Sequence, residues 1–267
     1  MPAGKNLARK EKTMGIMKKI FILHGWTYSI EKWNPFVKLL KQKGIEVNIL
    51  KIPGLTDKLD KVWELNDYVE WLKQKIDNQE VNNLTMKQFN NKVILIGHSN
   101  GGRIAVAFTN RYPEKVENLI LIDSAGIYHN ELPLRIKRVV FKTIAKIGAQ
   151  AFGKARLADR RGGIKKVLRD LLYKIARESD YKNSDENVKQ TMVNLISTDL
   201  EPILPKIKIP TLIIWGSQDR ITPVSDGMLM NSLIKNSKLE IIENARHSPQ
   251  FTHPEQVAET IINSLTI

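Results

Sequence analysis

Four short apolar runs recur along the chain, and each ends at a glycine, an aspartate or a turn. Their residues are apolar without the alternation of a half-exposed strand, which is typical of parallel strands covered on both faces. Two weaker runs, at 46–50 and 239–242, have a similar character. The pattern therefore predicts a mostly parallel sheet of about six strands. The four stronger runs are residues 19–23, 93–97, 119–123 and 211–215.

Helical patterns lie between these runs. Residues 65–76 carry apolar side chains at helical spacing, and the stretch 33–44 has Pro35 near its first turn and closes at a glycine. Proline favours the start of a helix and glycine its end. Further helices are predicted at 101–112 and 254–265. Alternating strands and helices predict a doubly wound α/β fold with right-handed crossovers.

A long segment from about residue 126 to residue 204 interrupts this alternation, because its pattern indicates helices only. Helices are expected at 164–177 and 185–197, whereas the polar stretch 79–91 is expected to be a surface loop. An all-helical insertion between two sheet strands predicts a cap over the carboxyl ends of the strands. The predicted organisation is a basic N-terminal tail (1–17), an α/β core (18–125 and 205–267) and a helical cap (126–204).

Composition narrows the class of protein. The chain has 267 residues, of which 42% are hydrophobic, so it has enough apolar residues for a substantial core. It has no cysteine, which excludes disulfides, thiolate metal sites and a cysteine nucleophile. No apolar run approaches the roughly 20 residues of a membrane span. The run after the basic N-terminus is also shorter than the roughly 7–15 residues of a signal-peptide core. We therefore expect a soluble cytoplasmic protein.

The net charge of +14 is concentrated in two segments. Residues 1–19 hold six Lys/Arg and one Glu, and residues 127–182 hold fifteen Lys/Arg and five Asp/Glu, so the remainder is nearly neutral. Such asymmetry suits either a solubilising surface or weak contact of the basic cap with an anionic surface. No nucleic-acid-binding motif accompanies the charge, so no nucleic acid partner is expected. One predicted helical face of the cap carries Arg135, Arg138, Lys142 and Lys146.

The motif Gly-His-Ser-Asn-Gly-Gly at 97–102 follows a predicted strand and opens a predicted helix. That context is what a nucleophile elbow requires, because the serine must project from a sharp turn at the edge of the sheet. Ser99 is thus the candidate nucleophile. Gly97 and Gly101 are expected where a side chain would collide with the neighbouring strand and helix. The helix N-terminus behind Ser99 favours developing negative charge.

A serine nucleophile needs a base, and the base needs an orienting carboxylate. Among five histidines, His247 follows the last predicted strand and is the candidate base. Asp219 lies on a loop after a strand and is the candidate acid. Asp123, at the end of another strand, competes with it and is otherwise a support residue. The remaining histidines are assigned to turn hydrogen bonds or exposed surface: His24, His98, His129 and His253.

The order Ser99, Asp219, His247, together with several local motifs, resembles the α/β-hydrolase superfamily. Within it, the chain resembles esterases and carbon–carbon bond hydrolases that carry a helical cap. The similarity covers about residues 18–267. Besides the elbow, it rests on His-Gly-Trp at 24–26, Leu-Ile-Asp-Ser-Ala-Gly at 121–126, Trp-Gly-Ser-Gln-Asp at 215–219 and Ala-Arg-His at 245–247.

The resemblance implies that the backbone N–H groups of Trp26 and Asn100 form the oxyanion hole. It implies neither a metal nor a cofactor. One departure is clear, since only about 17 mostly polar residues precede the first strand, whereas family members often have two antiparallel strands there. The sheet is therefore expected to be short at that edge.

These features predict a serine hydrolase that cleaves a carboxylic ester of a small, partly apolar substrate through an acyl-enzyme. Serine at the elbow disfavours dehalogenases and epoxide hydrolases of this fold, which use a carboxylate. The alternative is hydrolysis of a carbon–carbon bond in a vinylogous diketone, with Arg103 or Arg135 holding a substrate carboxylate. A third hypothesis is a ligand-sensing module that docks to an anionic membrane through its basic cap. The oligomeric state is left open.

Overall fold

A computed structural model describes residues 18–27, 29–82, 92–127 and 185–265. The predicted basic tail at 1–17, the helix predicted at 164–177 and the basic face that includes Arg135 lie outside these ranges, as does His129. Of the predicted cap (126–204), the structure describes residues 126–127 and 185–204.

The six predicted strands form one parallel sheet, as the apolar runs predicted. The order across the sheet is β2-β1-β3-β4-β5-β6. Strand β2 lies at the edge beside β1, and β3 to β6 follow in sequence order on the other side of β1. The expected doubly wound α/β fold with a parallel sheet of about six strands is confirmed. The strands are β1 (Lys19–Leu23), β2 (Glu46–Ile49), β3 (Val93–His98), β4 (Val116–Ile122), β5 (Thr211–Gly216) and β6 (Ser237–Ile242).

Both faces of the sheet are covered, which explains why the strands lack polar alternation. In β1, Phe21 and Leu23 belong to one core cluster, while Ile20 and Ile22 belong to a second cluster on the other face. Because side chains alternate across a strand, a strand buried on both sides must be apolar throughout.

Helices flank the sheet on both faces. The described helices are α1 (Asn34–Lys41), α2 (Leu65–Asn82), α3 (Asn100–Arg111), α4 (Glu186–Ser197), α5 (Val224–Leu233), α6 (Pro249–Thr252) and α7 (Pro254–Ser264). Buried residues of α2, α3 and α5 belong to the first cluster, and those of α1 and α7 to the second. None of the helices within the described ranges combines the length and the hydropathy that a membrane crossing requires.

Several element boundaries differ from the expectation, and the end of α2 and the start of β4 show why. Helix α2 continues to Asn82, so the first residues of the predicted loop at 79–91 are helical. Strand β4 starts at Val116 rather than at 119, because the half-exposed Glu117 and Asn118 interrupt its apolar pattern without ending the strand.

The described C-terminal end of the predicted cap packs into the main core. Helix α4 matches the helix predicted at 185–197. Its Leu195, and Leu200 and Leu204 after it, are buried in the same cluster as the sheet residues. This end of the insertion is therefore anchored by apolar packing to the α/β core.

All six strands run in the same direction, so their carboxyl ends share one edge of the sheet. The loops that leave β1, β3, β4, β5 and β6 at this edge contain His24, Ser99, Asp123, Asp219 and His247. The topology thus gathers the candidate residues at one edge although they are spread over more than two hundred positions.

Candidate active site

Ser99 occupies the sharp turn between β3 and α3. Its backbone has φ 51° and ψ −120°, a combination that residues other than glycine rarely adopt. Such a conformation costs on the order of 1–3 kcal/mol. Backbone hydrogen bonds hold it there. The Ser99 N–H donates to Ile122 O at 3.2 Å, and the Ser99 carbonyl accepts from the N–H groups of Gly102 and Ala125, both at 3.0 Å. The turn is therefore fixed to the end of β4.

Glycines around Ser99 permit close contacts that any side chain would block. A Cβ at Gly97 would lie 2.6 Å from the Gly102 Cα, and one at Gly101 would lie 2.0 Å from the Leu23 carbonyl oxygen. At Gly102, a Cβ would meet the Ser124 side chain at 2.0 Å. Helix α3 consequently begins directly against the ends of β1 and β4.

The loop after β1 lies beside Ser99. A Cβ on Gly25 would be 2.8 Å from the Ser99 Cβ, and the predicted oxyanion donor Trp26 follows immediately, with its half-buried side chain packed against the first core cluster. The other predicted donor, Asn100, is the first residue of α3. The N–H groups in the first turn of a helix have no partner within that helix.

The buried His24 side chain holds the loop that follows β1. It is fully buried, and its ring nitrogens make contacts at 2.7 Å with the Gly25 carbonyl and at 2.9 Å with the Thr56 hydroxyl. Burial lowers the pKa of His24, although its contact with the Gly25 carbonyl opposes the shift. His24 is thus a structural residue of the loop, as the sequence indicated.

Asp219 and His247 form a direct pair. The Asp219 Oδ2 lies 2.7 Å from the His247 Nδ1. The carboxylate side chain is completely buried, whereas the imidazole side chain is 13% exposed. With Nδ1 held by the carboxylate, the imidazole has Nε2 available to act on another group.

The Asp219 carboxylate is tied down on its other lone pairs as well. Its Oδ1 accepts from the N–H of Ile221 at 2.7 Å and of Thr222 at 3.3 Å, and its Oδ2 accepts from the Thr222 hydroxyl at 2.7 Å. The loop after β5 therefore orients the Asp219 carboxylate independently of its contact with His247.

Asp123, the competing acid, has different partners. Its Oδ1 accepts from the Gly216 N–H at 2.8 Å and its Oδ2 accepts from the Ser248 N–H at 2.9 Å. Burial raises the pKa of Asp123 to about 7, an effect that these two N–H groups and His247 oppose and that Asp219 reinforces. Of the two carboxylates, only Asp219 forms a recorded hydrogen bond to His247 in the described part of the chain.

His98, which precedes Ser99, belongs to the same cluster. Its ring centroid lies 5.1 Å from that of His247 and 5.9 Å from that of Trp33. Its Nε2 lies 3.3 Å from the Ser248 hydroxyl. Burial, and then the charges of His247 and His24, lower the pKa of His98. A neutral imidazole therefore packs behind the candidate base.

Within the described ranges, His98, Asp123 and His247 bring one potential ligand atom each to within 4.8 Å of one another, as a metal ion would need. Their other contacts explain this proximity. The Nδ1 of His247 faces Asp219, both Asp123 oxygens accept backbone hydrogen bonds, and the Nε2 of His98 faces Ser248. The hydrogen bonds of these three residues account for their proximity, and we assign no metal to the cluster.

Two other residues considered in the sequence analysis, Arg103 and His253, have structural partners. Arg103 is 5% exposed and donates to the Thr198 carbonyl at 2.6 Å, so it holds the segment that follows α4. The Nδ1 of His253 lies 2.8 Å from the Thr252 hydroxyl at the start of α7.

Sequence reasoning missed Thr222, Ser248 and the close approach of Gly25 to Ser99. Thr222 carried a weak signal, since it stands three residues after the candidate acid in a short loop. Ser248 carried none in its side chain, because the Asp123 carboxylate is bound by its backbone N–H.

A groove of about 490 Å³ lies elsewhere, between α2 and the C-terminal half of α3. Leu65, Val69, Ala107 and Arg111 contribute to its walls. Ser99 stands at the opposite end of α3, so this groove takes no part in the candidate site.

Comparison with known proteins agrees with this arrangement. The family model described as serine aminopeptidase, S33 matches residues 16–252. The chain belongs to this family. It is therefore a hydrolase of the α/β-hydrolase superfamily, as the motifs at 24–26 and 97–102 predicted.

Two relatives of the chain have names that give different reactions. Human (Homo sapiens) monoacylglycerol lipase ABHD6 is 26% identical over 278 residues, covering 94% of this chain and 76% of the relative. The 2-hydroxy-6-oxononadienedioate/2-hydroxy-6-oxononatrienedioate hydrolase of Escherichia coli (strain K12) is 27% identical over 272 residues, covering 92% of this chain and 86% of the relative.

Among solved structures, the fold is similar to that of a bromoperoxidase from Bacillus anthracis. The TM-score is 0.69 at 23% identity, with 95% of this chain and 93% of that chain covered. At this level of identity the similarity concerns the fold of the S33-type hydrolase and not its reaction.

Proposed function

We propose that the protein is a serine hydrolase that cleaves a carboxylic ester of a small, partly apolar substrate. The observation that carries the proposal is the 2.7 Å contact between a buried Asp219 and His247 at the sheet edge that also presents a strained Ser99. A carboxylate, an imidazole and a serine on a sharp turn are the parts that acyl transfer to water requires. A monoacylglycerol lipase among the relatives supports an ester substrate.

In the proposed mechanism, the Ser99 oxygen attacks the ester carbonyl while His247 Nε2 takes the hydroxyl proton. Asp219 stays ionised and holds the imidazole in the tautomer with a proton on Nδ1. The N–H groups of Trp26 and Asn100 stabilise the oxyanion, and one such donor is typically worth about 10²–10³-fold in turnover. The imidazolium then protonates the leaving alkoxide as the carbon–oxygen bond breaks, which leaves an acyl-enzyme.

Water completes the cycle. His247 removes a proton from a water molecule as its oxygen attacks the acyl-enzyme carbonyl. Collapse of the second tetrahedral intermediate returns the proton to Ser99 and releases the carboxylic acid. The placement of α3 behind Ser99 adds the favourable field of a helix N-terminus to both steps.

The proposal is tested by replacing Ser99→Ala and measuring hydrolysis of short p-nitrophenyl esters and monoacylglycerols. Turnover is expected to fall by about 10³-fold or more, because the nucleophile is lost, while the melting temperature stays close to that of the wild type. Ser232→Ala, which alters the exposed hydroxyl of another helical serine, is the matched control and keeps full activity.

A fluorophosphonate probe gives a second readout. It is expected to add one covalent phosphonyl group to the peptide containing Ser99 in the wild-type protein and none to that peptide in Ser99→Ala. Hydrolysis that survives in Ser99→Ala, or a label on a different serine, removes Ser99 from the mechanism.

The second candidate is hydrolysis of a carbon–carbon bond in a vinylogous diketone, which the hydrolase from Escherichia coli among the relatives favours. The same residues serve this reaction, but the substrate carries carboxylates that need cationic partners. Arg103 is buried and bonded to Thr198, which makes it a poor partner. Faster turnover of a dienoate substrate than of any ester, measured in one panel with Ser99→Ala as control, decides for this candidate.

A further inference from the structure

Asp123 is bound at every polar atom. Its N–H donates to the Ile214 carbonyl at 3.0 Å, and its own carbonyl oxygen lies 3.2 Å from the Thr222 hydroxyl oxygen. Its two carboxylate oxygens accept from the N–H groups of Gly216 and Ser248. The residue is completely buried and adopts φ 42°, a positive value that is uncommon for residues other than glycine, although aspartate adopts it more readily than most. Such a strained conformation persists only where its surroundings impose it.

The two N–H groups that Asp123 binds belong to the segments that carry the candidate acid and base. Gly216 ends β5, three residues before Asp219, and Ser248 directly follows His247. One carboxylate therefore bridges two loops that also meet at the Asp219–His247 contact and the nearby Thr222 hydroxyl. Nearer the strand ends, the Gln218 N–H donates to the Ala245 carbonyl at 2.9 Å and the Asn244 N–H donates to the Ser217 hydroxyl at 3.0 Å.

Ser248 depends on this bridge. Its backbone has φ 136°, a value that is strained for a residue with a Cβ. Its N–H contacts the Arg246 carbonyl at 2.8 Å and donates to Asp123 at 2.9 Å. Of these two partners, Arg246 belongs to the same loop, whereas Asp123 follows β4 and ties the loop to the sheet. Losing Asp123 removes the bond from this N–H to the end of β4 and favours relaxation of the residue next to His247, although the Ser248 carbonyl still accepts from the Phe251 N–H at 3.0 Å.

We propose that Asp123 is a positioning residue whose carboxylate holds the His247 loop against the end of β5 and thereby sets the geometry of the Asp219–His247 pair. The inference rests on the proposed function, because it treats His247 as the base. It assigns Asp123 no contact with substrate.

The test is Asp123→Asn, which keeps one acceptor oxygen but places an NH₂ group against one of the two backbone N–H donors. We expect kcat to fall about 10–100-fold with KM changed less than about threefold, since orientation of the base is lost and substrate contacts are not. The control is Asp77→Asn, which removes a carboxylate with two lysine partners, Lys73 and Lys115, at the far end of α2. Its kcat stays at the wild-type value.

A double-mutant cycle with Asp219→Asn separates positioning from a general loss of structure. If Asp123 acts through the Asp219–His247 pair, Asp123→Asn costs less than about threefold in kcat once Asp219 is already asparagine. An equal loss in both backgrounds overturns the proposal, and so does an unchanged kcat in Asp123→Asn alone.

Asp123→Gly provides a second variant if the asparagine protein does not fold. Glycine tolerates φ 42° and leaves room for water, so this variant is expected to fold and to lose kcat to the same extent. Failure of the proposed function has a different signature, because Ser99→Ala then retains hydrolysis whatever residue stands at 123.

Discussion

Thr222 shows how one hydroxyl can connect three parts of the site. Its Oγ1 lies 2.7 Å from Asp219 Oδ2, 3.2 Å from the Asp123 carbonyl and 3.3 Å from His247 Nδ1. A hydroxyl has one proton to donate, and the short contact to a charged acceptor is the strongest of these. Thr222 therefore holds Asp219 in the orientation that His247 requires.

Thr222→Val is expected to lower kcat about tenfold, because the carboxylate loses a charge-assisted hydrogen bond while the packing volume is kept. Thr222→Ser keeps the hydroxyl and is the matched control, with kcat within about twofold of the wild type. Steady-state kinetics on a p-nitrophenyl ester measures both. Equal activities of the valine and serine variants would show that the hydroxyl plays no part.

The individual site residues could be predicted from the sequence to different degrees. Ser99 lies in a local motif, and Asp219 and His247 each follow an apolar run, so short-range patterns were sufficient to nominate them. The bridge made by Asp123 could not be predicted, since its hydrogen bonds span 93 positions to Gly216 and 125 positions to Ser248. Only the folded sheet brings these groups together.

At the scale of elements, α4 anchors the loop that precedes α2. The Thr191 hydroxyl accepts from the Trp63 N–H at 2.8 Å, and the Asn194 side chain donates to the Trp63 carbonyl at 3.1 Å. Near the start of the helix, Asn187 donates to the Asp60 carbonyl at 3.0 Å. The end of the predicted cap is thus joined to the core by polar side chains as well as by apolar packing.

Thr191→Val is expected to reduce the free energy of unfolding by about 1–3 kcal/mol, because it leaves the partly buried Trp63 N–H without its acceptor. The control is Thr260→Val in α7, where the hydroxyl bonds only to the Gln256 carbonyl of its own helix, and its cost is expected to stay below about 1 kcal/mol. Urea unfolding followed by circular dichroism measures both. A difference smaller than the experimental error would mean that this anchor contributes nothing.

The elements themselves were predictable wherever burial was complete. Strands β1, β3 and β5 are buried at every residue, so their apolar runs had no competing explanation. The start of β4 and the end of α2 were misplaced for the opposite reason. In β4, the half-exposed Glu117 and Asn118 separate the buried Val116 from the apolar run, and in α2 polar residues continue the helix to Asn82. Hydrogen bonding within the backbone and not hydrophobicity determines these boundaries.

At the scale of the whole molecule, three basic residues of the described core lie where helices end. The last turn of α1 contains Lys38 and Lys41, and that of α3 contains Arg111. Helices in this fold end at the amino edge of the sheet, opposite Ser99. Positive side chains there complement the negative ends of the helix dipoles, which gives these three residues a structural role that needs no anionic partner.

Three buried groups with shifted pKa values affect how stability depends on pH. Burial lowers the pKa of His24 and His98 below 6.5, so on acidification the unfolded chain takes up protons that the folded chain does not bind. Burial raises the pKa of Asp123 to about 7, so between pH 4.5 and 6 the folded chain keeps a proton that the unfolded chain has released. The histidines make stability increase with pH in this window, and Asp123 makes it decrease.

Asp123→Asn is expected to steepen the rise of stability between pH 4.5 and 6, because it removes the opposing contribution. The slope should increase by up to about one proton, or about 1.4 kcal/mol per pH unit. Urea unfolding at several pH values in wild type and variant measures the difference. Parallel curves would show that Asp123 carries the same proton in both states.

The proposed nucleophile and the proposed base follow strands that differ in their number of hydrogen-bonded neighbours. Ser99 follows β3, which has a neighbour on each side, whereas His247 follows β6, which pairs only with β5 among the described strands. If β6 separated from β5, the His247 imidazole would move away from Ser99 while the centre of the sheet stays intact. Loss of turnover on warming would then report this local opening rather than the melting of the whole fold.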